Sequence, residues 1–279
     1  MKRSPLGLLL VASLTAACDV RVDEHGIQSM RVAEGRAEDV WTRSYTLPAN
    51  GTFEIVGENG AIDVGAGSGP QVEVRAEREA RADTEEAARE LLQKLQIREE
   101  IAPDSVKLAT VGGESSWAPP GLGRRAQTRV DYQVRVPRGL TLTFRSENGG
   151  VRLNDVNGRI TATTTNGGIT GEDLAGSLTA QTTNGGVRVD LVSIEGDVNL
   201  AATNGGIRLS MPPGTKATLE ASVVNGGIDV DDEFGVASSA GPGPTQRISA
   251  AVNGGGPKVS ATTVNGGVRI RARSANQRD

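Results

Sequence analysis

Cysteine and histidine, the side chains most often used for nucleophilic or metal chemistry, occur once each in 279 residues, as Cys18 and His25. Both precede the regularly patterned part of the chain. No Ser-His-Asp or Cys-His constellation can therefore be assembled there, and a histidine-based metal site fails as well. Carboxylates remain to be considered, because enzymes that cut polysaccharides work with paired acids. The densest group is Asp229, Asp231, Asp232 and Glu233. A solvated turn is the preferred reading for it, ahead of calcium binding, and calcium binding ahead of catalysis. No catalytic residue, cofactor or metal is expected, and a carboxylate-based polysaccharide-active enzyme stands last among the functional readings.

The elements that would position side chains are legible from a repeat. Seven Asn-Gly-Gly triplets begin at Asn148, Asn166, Asn184, Asn204, Asn225, Asn253 and Asn265, and the first three intervals are 18, 18 and 20 residues. Repetition at this period is the signature of a solenoid. Between triplets the apolar residues alternate with period two, which is the strand pattern. After each Asn the inward positions hold Val151 and Leu153, Val187 and Val189, or Ile207 and Leu209. Before the next Asn they hold Ile160, Ala162 and Thr164, or Leu178, Ala180 and Thr182. The expected architecture is all-β: a parallel β-solenoid with two strands per coil, about 18–22 residues per coil, and a rise of about 4.8 Å. A row of antiparallel hairpins is the less favoured alternative. The seven triplets are assigned as structural turns, in which Asn and Gly tolerate positive φ and stacked amides can bond from coil to coil. The 28-residue interval after Asn225 reads as a coil with a loop drawn out of it, and the 12-residue interval after Asn253 as an incomplete coil.

Outward positions then form columns. One side carries Arg152, Thr170, Arg188, Arg208, Asp229 and Arg269, beside Asn154, Glu172, Asp190, Ser210, Asp231 and Arg271. Mutual pairing across a wet sheet is preferred there over an anion-binding stripe. Gly185-Gly186-Val187-Arg188-Val189-Asp190 has the outline of a calcium-binding nonapeptide, but Arg188 stands where that motif needs Gly. The opposite side is hydroxyl-rich and nearly uncharged. Its candidate binding face is Thr161, Thr163, Thr179, Gln181, Asn199, Ser222, Ser260 and Thr262, interrupted by Ala201 and Glu220.

The N-terminus has Lys2 and Arg3, an apolar run from Leu6 to Leu14, and Thr15-Ala16-Ala17-Cys18. Residues 1–17 are expected to be a secretory signal, too short for a permanent span. The segment resembles a bacterial lipoprotein signal. That resemblance implies lipidation of Cys18 and a membrane-anchored lipoprotein exported to the cell envelope and facing the periplasm; Asp19 favours retention at the inner membrane in some Gram-negative sorting systems, and the choice of inner or outer membrane stays open. Removing residues 1–17 leaves 28 basic and 34 acidic residues, which argues against nucleic acid as a partner. Residues 18–45 are expected to be a polar tether, and 46–146 an irregular N-terminal part of the solenoid. Within it an amphipathic helix near 84–96 is predicted, capped by Asp83 and carrying Ala87, Ala88, Leu91, Leu92 and Leu95 on one stripe. Gly112 to Gly123 is expected to be a loop presenting Trp117. The repeat solenoid covers 147–273.

Trp41, the strand-Asn-Gly-strand opening around Asn59-Gly60, the helix beginning Glu85-Glu86-Ala87-Ala88, Val136-Pro137 and the repeated Asn-Gly-Gly together resemble the bacterial adhesin-like β-strand-repeat family over roughly residues 41–271. The resemblance implies a secreted or envelope-anchored parallel β-solenoid without a defined activity, some relatives being associated with envelope-stress signalling. Two functional readings follow. One is a non-enzymatic, envelope-anchored binding or adhesion module presenting its flat polar face to a repetitive envelope polymer or an envelope protein. The other is a structural or envelope-stress sensory scaffold that docks a partner by an end, the helix or the long loop.

Overall fold

A computed structural model describes residues 20–23, 26–30, 35–113, 115–116, 126–236 and 245–273. Among the described residues the chain is all-β with one α-helix, and its sheet curls round to give a β-solenoid-like body. Strands that run into the Asn-Gly-Gly turns form one side, here the pre-turn sheet. In spatial order it contains Ser105–Val111, Thr52–Asn59, Leu140–Asn148, Asn157–Asn166, the second half of Ile169–Asn184, the second half of Val187–Asn204, Lys258–Asn265 and Ala217–Asn225, each parallel to the next. Strands leaving the turns form the post-turn sheet: Ile62–Ala66, Val151–Asn154, the first halves of the same two long strands, Ile207–Met211, Val268–Ala272 and Ile228–Val230, again all parallel.

Among the Asn-Gly-Gly rungs, stacking order departs from chain order at one place. The final rung, Lys258–Asn265 with Val268–Ala272, lies between the rung containing Asn204 and the rung containing Asn225. The segment expected to be a coil with a drawn-out loop is therefore displaced to the end of the stack, where Gln246–Val252 runs antiparallel to Ala217–Asn225. The short interval after Asn253 is the crossing back to the inserted rung. At the opposite end the pre-turn sheet also finishes on an antiparallel strand, Gln96–Ala102. Both terminal edges thus lack the parallel register of the interior.

Inward residues of the two sheets meet in one apolar core that includes Leu142, Phe144, Ile160, Val187, Leu200, Leu209, Val259 and Ile270, all 2% exposed or less. Gly171 occupies a position where neighbouring rungs carry Leu153 and Val189, and the side chain of Leu174 fills the room so left.

Close approach between rungs explains the triplet. The asparagines at 148, 166, 184, 204, 225 and 265 lie in extended strand, and the non-glycine residues with positive φ among those described are Asn50, Asp155, Asp173 and Asn253. The positive φ that Asn would tolerate is thus not used by the Asn of these six turns. What the turn requires is the absence of a side chain at the first glycine: a Cβ on Gly167, Gly185, Gly205 or Gly266 would overlap the carbonyl of the equivalent glycine one rung away. The Asn side chains stack. Nδ2 of Asn148, Asn166, Asn184, Asn204, Asn265 and Asn225 each donates to Oδ1 of the next Asn along the stack, at 2.8–2.9 Å, in a ladder that begins on Asn59. Asn253 is the exception. It is grouped with the turns by its triplet, but has φ 50° and donates to the carbonyls of Pro213 and Thr215.

Beneath the ladder, the buried hydroxyls of Thr164, Thr182 and Thr263 donate to the carbonyls of Gly149, Gly167 and Gly205 at 2.7–2.8 Å. Thr182→Val keeps the shape and leaves the Gly167 carbonyl without this donor, so a loss of about 1–2 kcal/mol is expected. Urea unfolding of the variant at an unchanged m-value measures it, and an unaltered midpoint would remove the hydroxyl from the account of the turn.

Two further expectations are corrected. Gly35–Thr46, within the stretch read as tether, is a strand paired along its whole length with Gln71–Ala82. It reads as polar because most of its side chains stay in water, and it is held by ladder bonds and by ion pairs such as Arg78–Asp39. The helix, α1 (Glu85–Lys94), is capped by Thr84, whose Oγ1 accepts from Ala87 N at 3.2 Å, and not by Asp83. Its buried Ala88 and Leu91, with Leu95 just beyond, face the sheet, and Arg78 Nη1 donates to the Leu95 carbonyl at 2.7 Å.

Candidate functional site

Because every rung of the pre-turn sheet presents the same alternation, its outward side chains fall into two straight files. One runs Thr143, Thr161, Thr179, Asn199, Ser260, Glu220. The other runs Arg145, Thr163, Gln181, Ala201, Thr262, Ser222. All eight residues of the candidate binding face are therefore on one surface, and all are partly or fully exposed. Insertion of the final rung places Ser260 between Asn199 and Glu220, and Thr262 between Ala201 and Ser222. The face extends one rung further than the eight candidates, to Thr143. The signal for it was available, since Thr143 stands before Asn148 as Thr161 stands before Asn166. Charged pairs bound the hydroxyl region at its two ends: Arg145 with Glu54 at 3.4 Å, and Lys258 with Glu220 at 2.8 Å. A shallow groove of about 490 Å³ crosses it between Thr161, Thr179 and Asn199 on one side and the bend at Gly196-Asp197 on the other.

The outer side of the post-turn sheet is different. Its main file runs Arg75, Gln133, Asp63, Arg152, Thr170, Arg188, Arg208, Arg269, Asp229. Pairing, the expected state of these arginines, is found toward the ends of the sheet, at Arg152–Asp63 (3.1 Å) and Arg269–Asp229 (3.3 Å), with Arg271 also on Asp229. Arg188 and Arg208 have no carboxylate within 4.0 Å among the described residues. The hydrogen bond from Arg271, followed by that from Arg269, holds the Asp229 carboxyl below the usual range. Asp190 is shifted the other way, upward, chiefly by burial. Its Oδ1 is buried without a hydrogen-bond partner among the described residues, although Arg273 Nε stands 3.3 Å away in poor alignment.

The acidic group of Asp229, Asp231, Asp232 and Glu233 does not converge. Asp229 is engaged by arginines, Asp231 Oδ2 accepts from Ala272 N at 3.2 Å, and Asp232–Phe234 forms a 3-10 turn anchored by buried Phe234. Among the described residues no group of three or more His, Cys, Asp or Glu could hold a metal ion, and no helix is long and apolar enough to cross a membrane. Cys18, His25, the signal segment, Trp117 and the loop at 238–244 lie outside the described residues.

Solved structures with a related outline include three bacterial proteins. They are one described as a candidate cell adhesion protein from Clostridium sporogenes ATCC 15579 (11% identity, 84% of this chain and 100% of that chain covered, TM-score 0.43), a candidate adhesin from Bacteroides fragilis NCTC 9343 (10%, 84% and 97%, 0.29) and a candidate lipid binding protein from Parabacteroides distasonis ATCC 8503 (9%, 85% and 97%, 0.24). No curated protein matches the chain. The Toastrack DUF4097 family model matches residues 120–271, which include all the parallel Asn-Gly-Gly rungs from Leu140 onward. With more than half of its length so matched, the chain belongs to the Toastrack family DUF4097.

Proposed function

We propose that this chain is a non-enzymatic binding module of the bacterial cell envelope, built as a parallel solenoid of two-strand coils, anchored through a lipid on Cys18, and presenting its hydroxyl-bearing sheet to a repetitive envelope polymer. One observation carries the reading: Thr143, Thr161, Thr179, Asn199 and Ser260 occupy successive rungs of one parallel ladder. Such a file repeats a weak hydrogen-bonding group at about 4.8 Å. A polymer with a matching repeat can engage many of these groups at once, and simultaneous engagement converts weak contacts into retention.

The test uses a soluble form beginning at Gly35, which retains the strand Gly35–Thr46. Changing Thr161, Thr163, Thr179 and Thr262 together to Lys is expected to abolish retention on cell-wall material. Changing the same four to Val, which keeps the strand shape but removes the hydroxyls, is expected to reduce it by about tenfold or more, at roughly 0.5 kcal/mol per lost bond. Circular dichroism and thermal melting confirm that both variants fold. Unchanged retention by the folded variants rejects the face.

A further inference from the structure

From a second surface, on the opposite sheet and independent of the hydroxyl face, we infer that the post-turn sheet carries a linear groove for an extended polyanion with one anionic group per repeat, seated on Arg188, Arg208 and Arg269.

Three observations converge on it. The first is register. In chain order Asp229 separates Arg208 from Arg269, but insertion of the final rung places Arg188, Arg208 and Arg269 on three consecutive rungs. Like charges directly opposite one another in a sheet are destabilising, and Arg188 and Arg208 have no carboxylate at hand to offset that. The second is shape. These arginines flank a groove of about 620 Å³ whose floor is the exposed backbone of Gly186, Gly206, Gly267 and Gly227. This is the second glycine of each triplet, less crowded than the first. A Cβ on Gly186, Gly206 or Gly267 would approach a neighbouring carbonyl at 3.3 Å, and one on Gly227 would meet nothing within 4 Å. The bare floor lets a ligand come close to the backbone. The third is hydrogen-bonding capacity. The amide N–H groups of Gly186, Gly206 and Gly267 have no acceptor among the described residues, while their carbonyls are used between rungs. Guanidinium groups and free amides along one line form an anion-binding arrangement.

The charge is local. The chain as a whole carries a formal charge of −4, so general attraction of polyanions does not account for a positive file. Rung spacing sets the ligand. Three cations, the third of them (Arg269) sharing Asp229 with Arg271, recur at about 4.8 Å, which suits an extended polymer bearing a carboxylate on each sugar, or one joined by phosphodiesters. Asp229 and Thr170 end the cationic run on either side, so a short oligomer spans it.

Binding is measured on the Gly35-start protein by isothermal titration, with oligogalacturonates of increasing length, with poly(glycerol phosphate), and with dextran as the neutral polymer. Affinity is expected to rise from monomer to trimer, to fall as salt is raised, and to be absent for dextran. The better of the two anionic polymers identifies the source of the charge. Arg188→Gln, Arg208→Gln and Arg269→Gln together should weaken it by roughly tenfold or more. The charge-matched triple on the other sheet, Arg145→Gln, Arg159→Gln and Arg247→Gln, should leave it within about twofold, as should the Thr-to-Val face variant. Arg208→Thr alone should bind less tightly yet melt higher, because it relieves like-charge contacts on both neighbouring rungs. Failure of both anionic polymers to bind better than dextran, affinity independent of length, or equal losses in the two arginine triples would each overturn the groove. None of these outcomes bears on the hydroxyl face.

Discussion

Ending the chain at Pro257 is expected to unravel the stack from Met211 onward, and not merely to shorten it by one rung. Residues 258–279 contain the rung that lies between those of Asn204 and Asn225, so their loss removes the parallel partner of Ala217–Asn225 and of Ile228–Val230 at once. Val259, Val268 and Ile270 are buried there, each contributing about 1.5–3 kcal/mol by burial. Also lost are the bond from Lys258 N to Asp197 Oδ1 at 2.9 Å, and the Arg273–Asp173 ion pair. The sum is comparable with the whole stability of an ordinary domain, about 5–15 kcal/mol. Limited proteolysis should cleave the truncated protein between Pro212 and Pro257. Hydrogen exchange should lose protection on Ala217–Asn225 while keeping it on Leu140–Asn148. Native-like protection of Ala217–Asn225 in the truncated chain would mean that rungs stack in chain order.

A single methyl group at the Asn-Gly-Gly corner should be nearly as damaging. Gly205→Ala places a Cβ on the carbonyl of Gly185, with both backbones fixed by ladder bonds: Gly185 N donates to Asn204 O at 3.0 Å, and Gly205 N to Asn265 O at 2.9 Å. Neither side has a flexible side chain that could move away. Rungs must separate, which also opens the Asn184–Asn204–Asn265 ladder and the bond from Thr263 to the Gly205 carbonyl. A loss of at least about 3 kcal/mol is expected, beyond ordinary overpacking because only backbone can yield. Gly69→Ala is the control. Nothing lies within 4 Å of a Cβ there, so its urea midpoint should stay within about 0.5 kcal/mol of the parent. Equal stability of the two variants would remove close rung contact as the reason for the triplet.

How far the sequence discloses this arrangement depends on what each signal encodes. Period-two alternation and the recurrent Asn-Gly-Gly fix which side chains point inward, because a slip of one residue would turn every Val and Leu into solvent. The hydroxyl face follows from the same alternation. The identity of neighbouring rungs is a different kind of information. Each rung offers the same Asn, the same two glycines and the same apolar columns, so Asn204 can stack on Asn265 as well as on Asn225, and the local code does not separate the two. For that reason the run of arginines at 188, 208 and 269 was invisible, and the alternation of Arg with Asp read along the chain favoured pairing. Gly35–Thr46 was hidden for another reason: a strand that keeps most of its side chains in water needs no apolar alternation, and its partner's residues, such as Arg78, hold it in place. Leu174 reaching into the space beside Gly171 is a compensation between positions three apart, which a strict column reading passes over.

The interleaved final rung separates the order of synthesis from the order of assembly. A ribosome delivers the Asn225 strand before the strand that must sit beneath it, so the stretch after Met211 has to wait for its parallel partner until Lys258–Ala272 arrives. That stretch should therefore acquire its stacked structure only after Lys258–Ala272 has emerged, and in one step, whereas the rungs up to Met211 can accumulate one by one as they emerge. The last segment works as a keystone: it is set at the end and is held from both sides.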